Sequence, residues 1–245
     1  NNIFQWYERE YQTKIINYIL EQLKIKFKIY LELATGGGKS YIIYRVLSKL
    51  NPDVVIIFSP RKNINKQNTS IKYLSILNNN YSVFNCSEDL NFEKFYNKCY
   101  QNNKKIIIVA CPQKSHEKVY DLILKYVLKN IFIWFDEAHH TIENWIDKIK
   151  NDKISFFLEN EDIILNRLYT SASPYKNLVF KYPNIFGELY TEIKVRDLIK
   201  LKWLCEIKPF VFKVDRNVDI CNYNLSNFLK LNCNFGFSFH NLRDS

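Results

Sequence analysis

Lys28-Ile29-Tyr30-Leu31-Glu32-Leu33-Ala34-Thr35-Gly36-Gly37-Gly38-Lys39-Ser40 is the stretch on which the fold turns. Its first half, Lys28–Leu33, is a short apolar run ending at a turn signal, the pattern of a buried strand. Its second half holds three of the five glycines in the chain, and they are consecutive. A chain so poor in glycine concentrates it where the backbone needs positive φ or must approach a ligand closely. From Lys39 to Leu50 apolar residues recur at three- and four-residue spacing, which predicts a helix. Strand, glycine turn and helix in that order aim backbone N–H groups and the positive end of a helix dipole at one point. That arrangement suits a phosphate group.

Working outward, further β-rich runs lie at Val54–Ser59, Tyr81–Asn85, Lys105–Ala110, Ile131–Phe135 and Ile163–Thr170. Most are continuously apolar rather than alternating, as expected of parallel strands covered on both faces. Between them Asn63–Leu77, Ser115–Leu128 and His140–Ile149 carry helical spacing. The alternation predicts an α/β domain, a doubly wound parallel sheet with right-handed crossovers. There is no internal repeat and no Pro/Ser-rich linker. From about Val214 the pattern dissolves into Asn-rich sequence.

The 245 residues suit one large domain or two small ones, and 47% hydrophobic with 24% charged residues excludes wholesale disorder. No apolar run approaches the roughly 20 residues needed to span a bilayer, and Asn1–Glu10 lacks a signal-peptide pattern. The expectation is an intracellular protein without a membrane partner. The net charge of +10 has two open explanations, a polyanionic partner or the Lys-rich codon bias of an AT-rich genome. Six cysteines, at 86, 99, 111, 205, 221 and 233, are dispersed without any CxxC, which points to buried free thiols.

Lys39 is placed to reach the β- and γ-phosphates of a nucleotide, and the Ser40 hydroxyl to take a Mg²⁺ position. Gly36 stands too close to Gly38 for the usual phosphate-loop spacing, so Ala34 takes the place of the first glycine. A plain glycine turn followed by a chance Lys-Ser is the alternative. A second acidic element follows the strand Ile131–Phe135: Asp136-Glu137-Ala138-His139-His140. Parallel strands present ligand sites at their carboxyl ends. Neighbouring strand residues point opposite ways, so Asp136 suits holding Mg²⁺ through water and Glu137 suits activating the attacking water as general base. The competing explanation is an N-cap Asp with a first-turn Glu on the next helix. Adjacent His139 and His140 make a poor metal pair.

Together, Asp-Glu-Ala-His after an Ala-Thr-Gly-x-Gly-Lys-Ser loop resembles the superfamily-2 helicases and translocases. The resemblance covers the first RecA-like lobe, residues 1–212, and is nearest the motor branch of type I and type III restriction enzymes, with viral and nuclear relatives as neighbours. It implies an ATP-Mg²⁺ site in which Thr35, Gly36, Gly37, Gly38, Lys39 and Ser40 bind phosphate, and Arg9 and Gln12 in Arg9-Glu10-Tyr11-Gln12 read adenine. It implies nucleic-acid contacts, DNA or RNA, from Pro60, Arg61 and Gln67 in Ser59–Gln67 and from Gln113 in Ala110-Cys111-Pro112-Gln113. Cys111 stands where relatives often have Thr. Thr170-Ser171-Ala172-Ser173-Pro174 resembles the Thr-Ala-Thr-Pro element, which implies coupling of ATP state to the nucleic-acid track through Ser171, Ser173 and His139. Phe186-Gly187-Glu188, Val195–Ile199, Trp203-Leu204 and Lys208-Pro209 resemble the segment closing the lobe, with Trp203 where relatives commonly have glycine.

Relatives carry a second RecA-like lobe whose arginine completes the ATP site, worth about 10³–10⁵ in rate. Residues 213–245, an extension or the start of such a lobe, contain Arg216 and Arg243 outside any recognisable motif. The expectation is an ATPase lobe whose second lobe is missing or supplied elsewhere, with such a lobe or a nuclease or other effector protein as partner. Two alternatives stand beside it: a non-motor nucleic-acid-binding or scaffold protein on the same fold, and a small-molecule kinase.

Overall fold

The computed structural model describes residues 6–206. Its strands are β1 (Lys28–Glu32), β2 (Val54–Phe58), β3 (Tyr81–Asn85), β4 (Lys105–Ala110), β5 (Ile131–Asp136), β6 (Ile164–Ser171) and β7 (Glu188–Tyr190). They form one seven-stranded sheet in the order β3-β4-β2-β5-β6-β1-β7, and every pairing is parallel. The six strands anticipated from apolar runs are all present, with bounds within one residue. β7 has only three residues, too few to leave such a run.

The helices are α1 (Glu10–Ile25), α2 (Lys39–Leu50), α3 (Lys62–Asn68), α4 (Ile71–Leu74), α5 (Phe92–Gln101), α6 (Pro112–Lys125), α7 (Ala138–Ile146), α8 (Asp152–Glu159), α9 (Lys176–Lys181), α10 (Pro183–Phe186) and α11 (Val195–Lys200). Strand residues alternate between two cores. Val55 and Ile57 join a cluster with Ile15 and Ile19 of α1, Ile42 and Leu47 of α2, and Leu198 of α11. Ile56 and Phe58 face the other cluster, with Val119 and Ile123 of α6 and Ile154 and Phe157 of α8. Helices thus cover both faces, which is why the strands read as continuously apolar.

Three boundaries depart from the periodicity. The helix expected over Asn63–Leu77 breaks after Asn68, because Ser70 turns extended (φ −65°, ψ 148°) as the N-cap residue of α4; the Asn68 carbonyl left at the helix end accepts from Tyr44 Oη at 2.5 Å. α6 starts three residues before Ser115, since Pro112 has the fixed φ and missing N–H that suit a first helical position. α7 starts at Ala138 and ends at Ile146, ahead of the expected His140–Ile149. The cysteines need a correction. Cys86, Cys99 and Cys111 are buried free thiols, but Cys205, beyond α11, is exposed. Cys221 and Cys233, like Lys208-Pro209, Arg216 and Arg243, lie outside the described residues.

The order of the sheet positions the site. The carboxyl ends of β1, β6, β5, β2 and β4 are consecutive along one edge, so the loops that follow these strands all emerge there. At the opposite end of β1, Gly187 (φ +70°) lets the chain reach β7: a Cβ there would lie 2.2 Å from the Lys28 carbonyl oxygen. Gly187→Ala is therefore expected to cost about 1–3 kcal/mol of unfolding free energy. An unchanged urea midpoint would contradict this account of the β1–β7 edge.

Candidate active site

The loop after β1 turns on a hydrogen bond from Gly37 N to the Ala34 carbonyl (3.0 Å), and Gly36 and Gly38 take positive φ of 80° and 90°. α1 braces this turn from behind. Tyr11 Oη donates to the Gly37 carbonyl at 2.8 Å, and Gln12 Nε2 reaches the same oxygen at 3.3 Å. Gln12 Oε1 accepts from the Arg9 backbone N–H at 3.0 Å, fixing the start of the helix. The Arg9 side chain donates to Tyr11 Oη (2.9 Å), and its guanidinium lies 4.2 Å from the centre of the Trp203 ring. A side chain at 38 would strike Gln12, since a Cβ there would sit 2.3 Å from Nε2. Thr35 and Gly36 are exposed.

Lys39 opens α2. Its Nζ donates to the Leu33 carbonyl at 3.2 Å and lies 3.5 Å from Glu137 Oε1. Asp136, 5% exposed, ends β5. Its Oδ1 accepts from Thr170 Oγ1 (3.1 Å) and from the Glu137 backbone N–H (3.1 Å), and its Oδ2 from Asn68 Nδ2 (2.8 Å). Thr170 Oγ1 in turn accepts from Trp134 Nε1 at 2.9 Å. Burial pushes the Asp136 carboxyl above its usual range and the Glu137 charge adds to this, while the hydrogen bonds of Asn68 and Thr170 and the charge of Lys39 pull against it.

Glu137 is not the next strand residue with its side chain on the opposite face. It leaves the sheet in the left-handed region (φ 47°, ψ 50°) as the N-cap residue of α7, with no side-chain cap hydrogen bond. A non-glycine residue there is strained, and such strain concentrates at functional positions. The turn separates the two carboxylates, directing Glu137 Oε1 towards Lys39 and bringing its Oε2 to 3.6 Å from His139 Nδ1. Ser171 Oγ lies 2.8 Å from the same His139 nitrogen and accepts the Ser173 backbone N–H at 2.9 Å. The β1–β6 ladder runs on past β1, with Leu33 N donating to the Ser171 carbonyl at 3.0 Å.

Pro60, Arg61, Gln67 and Gln113 occupy the adjoining half of the edge, after β2 and β4. Arg61 caps α3, and Arg61, Gln67 and Gln113 are exposed, while Pro60 is half-buried. At Cys111, where a Thr was anticipated, the buried sulfur accepts Asn65 Nδ2 at 3.8 Å, linking α3 to the start of α6. Burial pushes this thiol's pKa up. Sequence reasoning missed Asn68, Thr170 as a partner of Asp136, and Tyr11 as a brace. Asn68 directly follows a quoted element, but only the tertiary contact marks it.

Among the described residues no three His, Cys, Asp or Glu side chains gather into a metal cage. The oxygens that do gather, the Ser40 hydroxyl and the Asp136 carboxylate, are joined through Asn68, because Ser40 Oγ donates to Asn68 Oδ1 at 3.0 Å. Hard oxygen donors in small number fit Mg²⁺, which keeps several waters and takes further ligands from phosphate.

The sequence profile described as type III restriction enzyme, res subunit, matches residues 6–166. The chain belongs to that family. No curated protein sequence matches it. Among solved structures, it is similar to the ATP-dependent type ISP restriction-modification enzyme LlaBIII bound to DNA, with 18% identity and a TM-score of 0.62 over 80% of this chain and 16% of that one. A nuclease-deletion mutant of the type ISP enzyme LlaGI, in complex with a DNA substrate mimic, gives 16% and 0.61 over 92% of this chain and 22% of that one. The UvsW helicase from bacteriophage T4 gives 14% and 0.55 over 78% and 62%. The chain thus spans less than a quarter of either restriction enzyme. The shared fold is that of the first RecA-like lobe of superfamily-2 helicase-type ATPases. No helix in the described residues is long and apolar enough to cross a membrane.

The Trp134–Thr170–Asp136 chain is open to direct test. Thr170→Val removes both a donor to a buried carboxylate and the acceptor of the indole N–H while keeping the side chain's shape. It should lower the unfolding free energy by about 1–3 kcal/mol. Trp134→Phe should add less in its presence than alone, and strictly additive losses in a urea-denaturation cycle would refute the linkage.

Proposed function

We propose that this chain is the ATP-binding lobe of a nucleic-acid-dependent ATPase that hydrolyses ATP with Mg²⁺ to move on or remodel DNA or RNA. On this reading residues 1–212 form the lobe, and residues 213–245 are an extension or the start of a second one. The observation that carries the reading is the convergence of Lys39, Ser40, Asp136 and Glu137 from two separate stretches of chain, with Lys39 and Glu137 only 3.5 Å apart. DNA is named for both LlaBIII and LlaGI, which supports DNA as the first polymer to test.

The Gly36–Gly38 backbone and the amino end of α2 receive the phosphates, with Thr35 at the loop's exposed rim. Lys39 exchanges its contact with the Leu33 carbonyl for the β- and γ-phosphate oxygens. Ser40 and Asp136 would hold Mg²⁺, whose charge neutralises the phosphate oxygens when it is bound. Glu137 accepts a proton from the water that attacks the γ-phosphate in line, a role supported by the left-handed turn that directs its carboxylate towards Lys39. Arg9 and Gln12 lie on the adenine side of the loop. His139 with Ser171, and Ser173 through its backbone, connect the Glu137 turn to the end of β6, a route by which occupancy of the γ-phosphate site reaches the rest of the edge. Pro60, Arg61, Gln67 and Gln113 meet the polynucleotide backbone. An arginine from a second lobe or partner protein completes the charge stabilisation.

Glu137→Gln should bind nucleotide like the parent chain and lose turnover, read by a fluorescent-nucleotide titration beside steady-state hydrolysis with and without DNA or RNA. Equal loss of affinity and turnover would remove Glu137 from the general-base role. Polynucleotide binding should weaken steeply between 50 and 200 mM salt, on the order of a power law in salt concentration with one phosphate contact per unit of slope. A flat response would leave the net charge of +10 to codon bias.

A further inference from the structure

Asn68 has no part in the scheme above, yet its contacts meet at the centre of the site. It is 1% exposed, and its amide makes two hydrogen bonds of opposite sense. The oxygen accepts from Ser40 Oγ at 3.0 Å, and the nitrogen donates to Asp136 Oδ2 at 2.8 Å. Its backbone carbonyl accepts Tyr44 Oη at 2.5 Å. One residue is therefore tied to the first and second turns of α2 and to the end of β5.

The polarity of these bonds has a chemical consequence. Because Ser40 spends its hydroxyl hydrogen on Asn68, the lone pairs of Ser40 Oγ are left for a cation. Because Asn68 donates to Asp136, the carboxylate is held through Oδ2 in one orientation without neutralising its charge. Few side chains can do both from one position. An Asn amide carries its acceptor and its donor on two separate atoms, whereas Asp lacks the donor and Leu has neither group.

The place of Asn68 in the chain adds a second consequence. It is the last residue of α3, and exposed Arg61 is that helix's N-cap. Seven helical residues span about 10 Å. α3 ends there as Ser70 turns extended, and Tyr44 takes up one of the carbonyls the helix end leaves without an intrahelical donor. This short element therefore joins exposed Arg61 to the amide between Ser40 and Asp136.

We propose that Asn68 is a positioning residue that sets the two Mg²⁺-facing oxygens of Ser40 and Asp136 relative to one another and couples them, through α3, to polynucleotide at Arg61. The inference rests on the ATPase reading and goes beyond it by naming the link between the two halves of the edge.

The test uses the whole chain with Asn68→Leu, which preserves bulk, and Asn68→Ala, which removes it. A fluorescent ATP analogue is titrated in EDTA and across Mg²⁺ concentrations, with and without duplex DNA, well below each variant's unfolding temperature. Both variants should keep EDTA affinity within about twofold of the parent, while the Mg²⁺ concentration at half-effect rises about 10–100-fold, the usual loss when a partner of a metal ligand is removed. The factor by which DNA changes Mg²⁺-ATP affinity should fall to about one, and by reciprocity so should the effect of Mg²⁺-ATP on DNA affinity. A lower unfolding temperature with an unmoved Mg²⁺ midpoint would make Asn68 a packing residue and overturn the positioning role. A shifted midpoint with the DNA factor intact would overturn the coupling through α3. If the parent chain itself binds no nucleotide in either condition, the ATPase reading fails and the inference with it, an outcome distinct from the other two.

Discussion

A carboxylate buried at the end of a strand must be given donors, and in this protein that requirement gathers the site. Asp136 is almost wholly covered, and burial disfavours its charged form. Asn68, Thr170 and the Glu137 backbone N–H answer it with three hydrogen bonds. Each donor belongs to a different part of the fold: the end of α3, the end of β6 and the turn into α7. Holding one oxygen pair thus brings the loops after β2, β6 and β5 to a common point. Lys39 arrives from β1 to face the neighbouring Glu137.

Parallel pairing makes that convergence possible. Thr170 lies directly across from Asp136, and Ser171 across from Glu32, so the strands β5, β6 and β1 end at nearly the same level. In an antiparallel sheet alternate strands would deliver their following loops to opposite edges. Here every loop of interest leaves from one edge, the glycine loop with Lys39 and the acidic turn on one half and the exposed Arg61 and Gln113 on the other. α3 spans the two halves, starting beside one and ending inside the other. The coupling proposed above would have a short physical path in such an arrangement.

Much of the fold was legible because its signals are local. A strand buried on both faces must be apolar at every buried position, which is visible in Ile131–Phe135 and Ile106–Ala110 without any knowledge of neighbours. The glycine triplet is legible for a similar reason, since Gly36 and Gly38 need backbone angles that other residues adopt at a cost. The family resemblance rested on elements of this kind, and the type III res-subunit match agrees with it. Less was legible where a long-range contact overrides a local preference. The spacing of Asn63–Leu77 is helical throughout, but the backbone turns extended at Ser70, and the carbonyl left open at Asn68 is taken by the distant Tyr44 hydroxyl. Cys205 looks like any other dispersed thiol, and its exposure follows only from where the chain leaves α11.

The sequence by itself determined the strand–helix alternation, the glycine turn between β1 and α2 and the presence of two adjacent acids after a buried strand. Each depends on residues within a few positions of one another, through backbone angles, periodic burial and helix-end chemistry. Tertiary structure alone decided the order of the strands and the left-handed turn that aims Glu137 at Lys39. It also decided that Ser173 joins the Ser171–His139 pair through its backbone N–H rather than its hydroxyl, and it decided the place of Asn68 between Ser40 and Asp136. Those facts depend on which strand ends become neighbours and on which buried polar atoms must find partners there. Asn68 and Asp136 are 68 residues apart in the chain, and no local pattern announces that they meet.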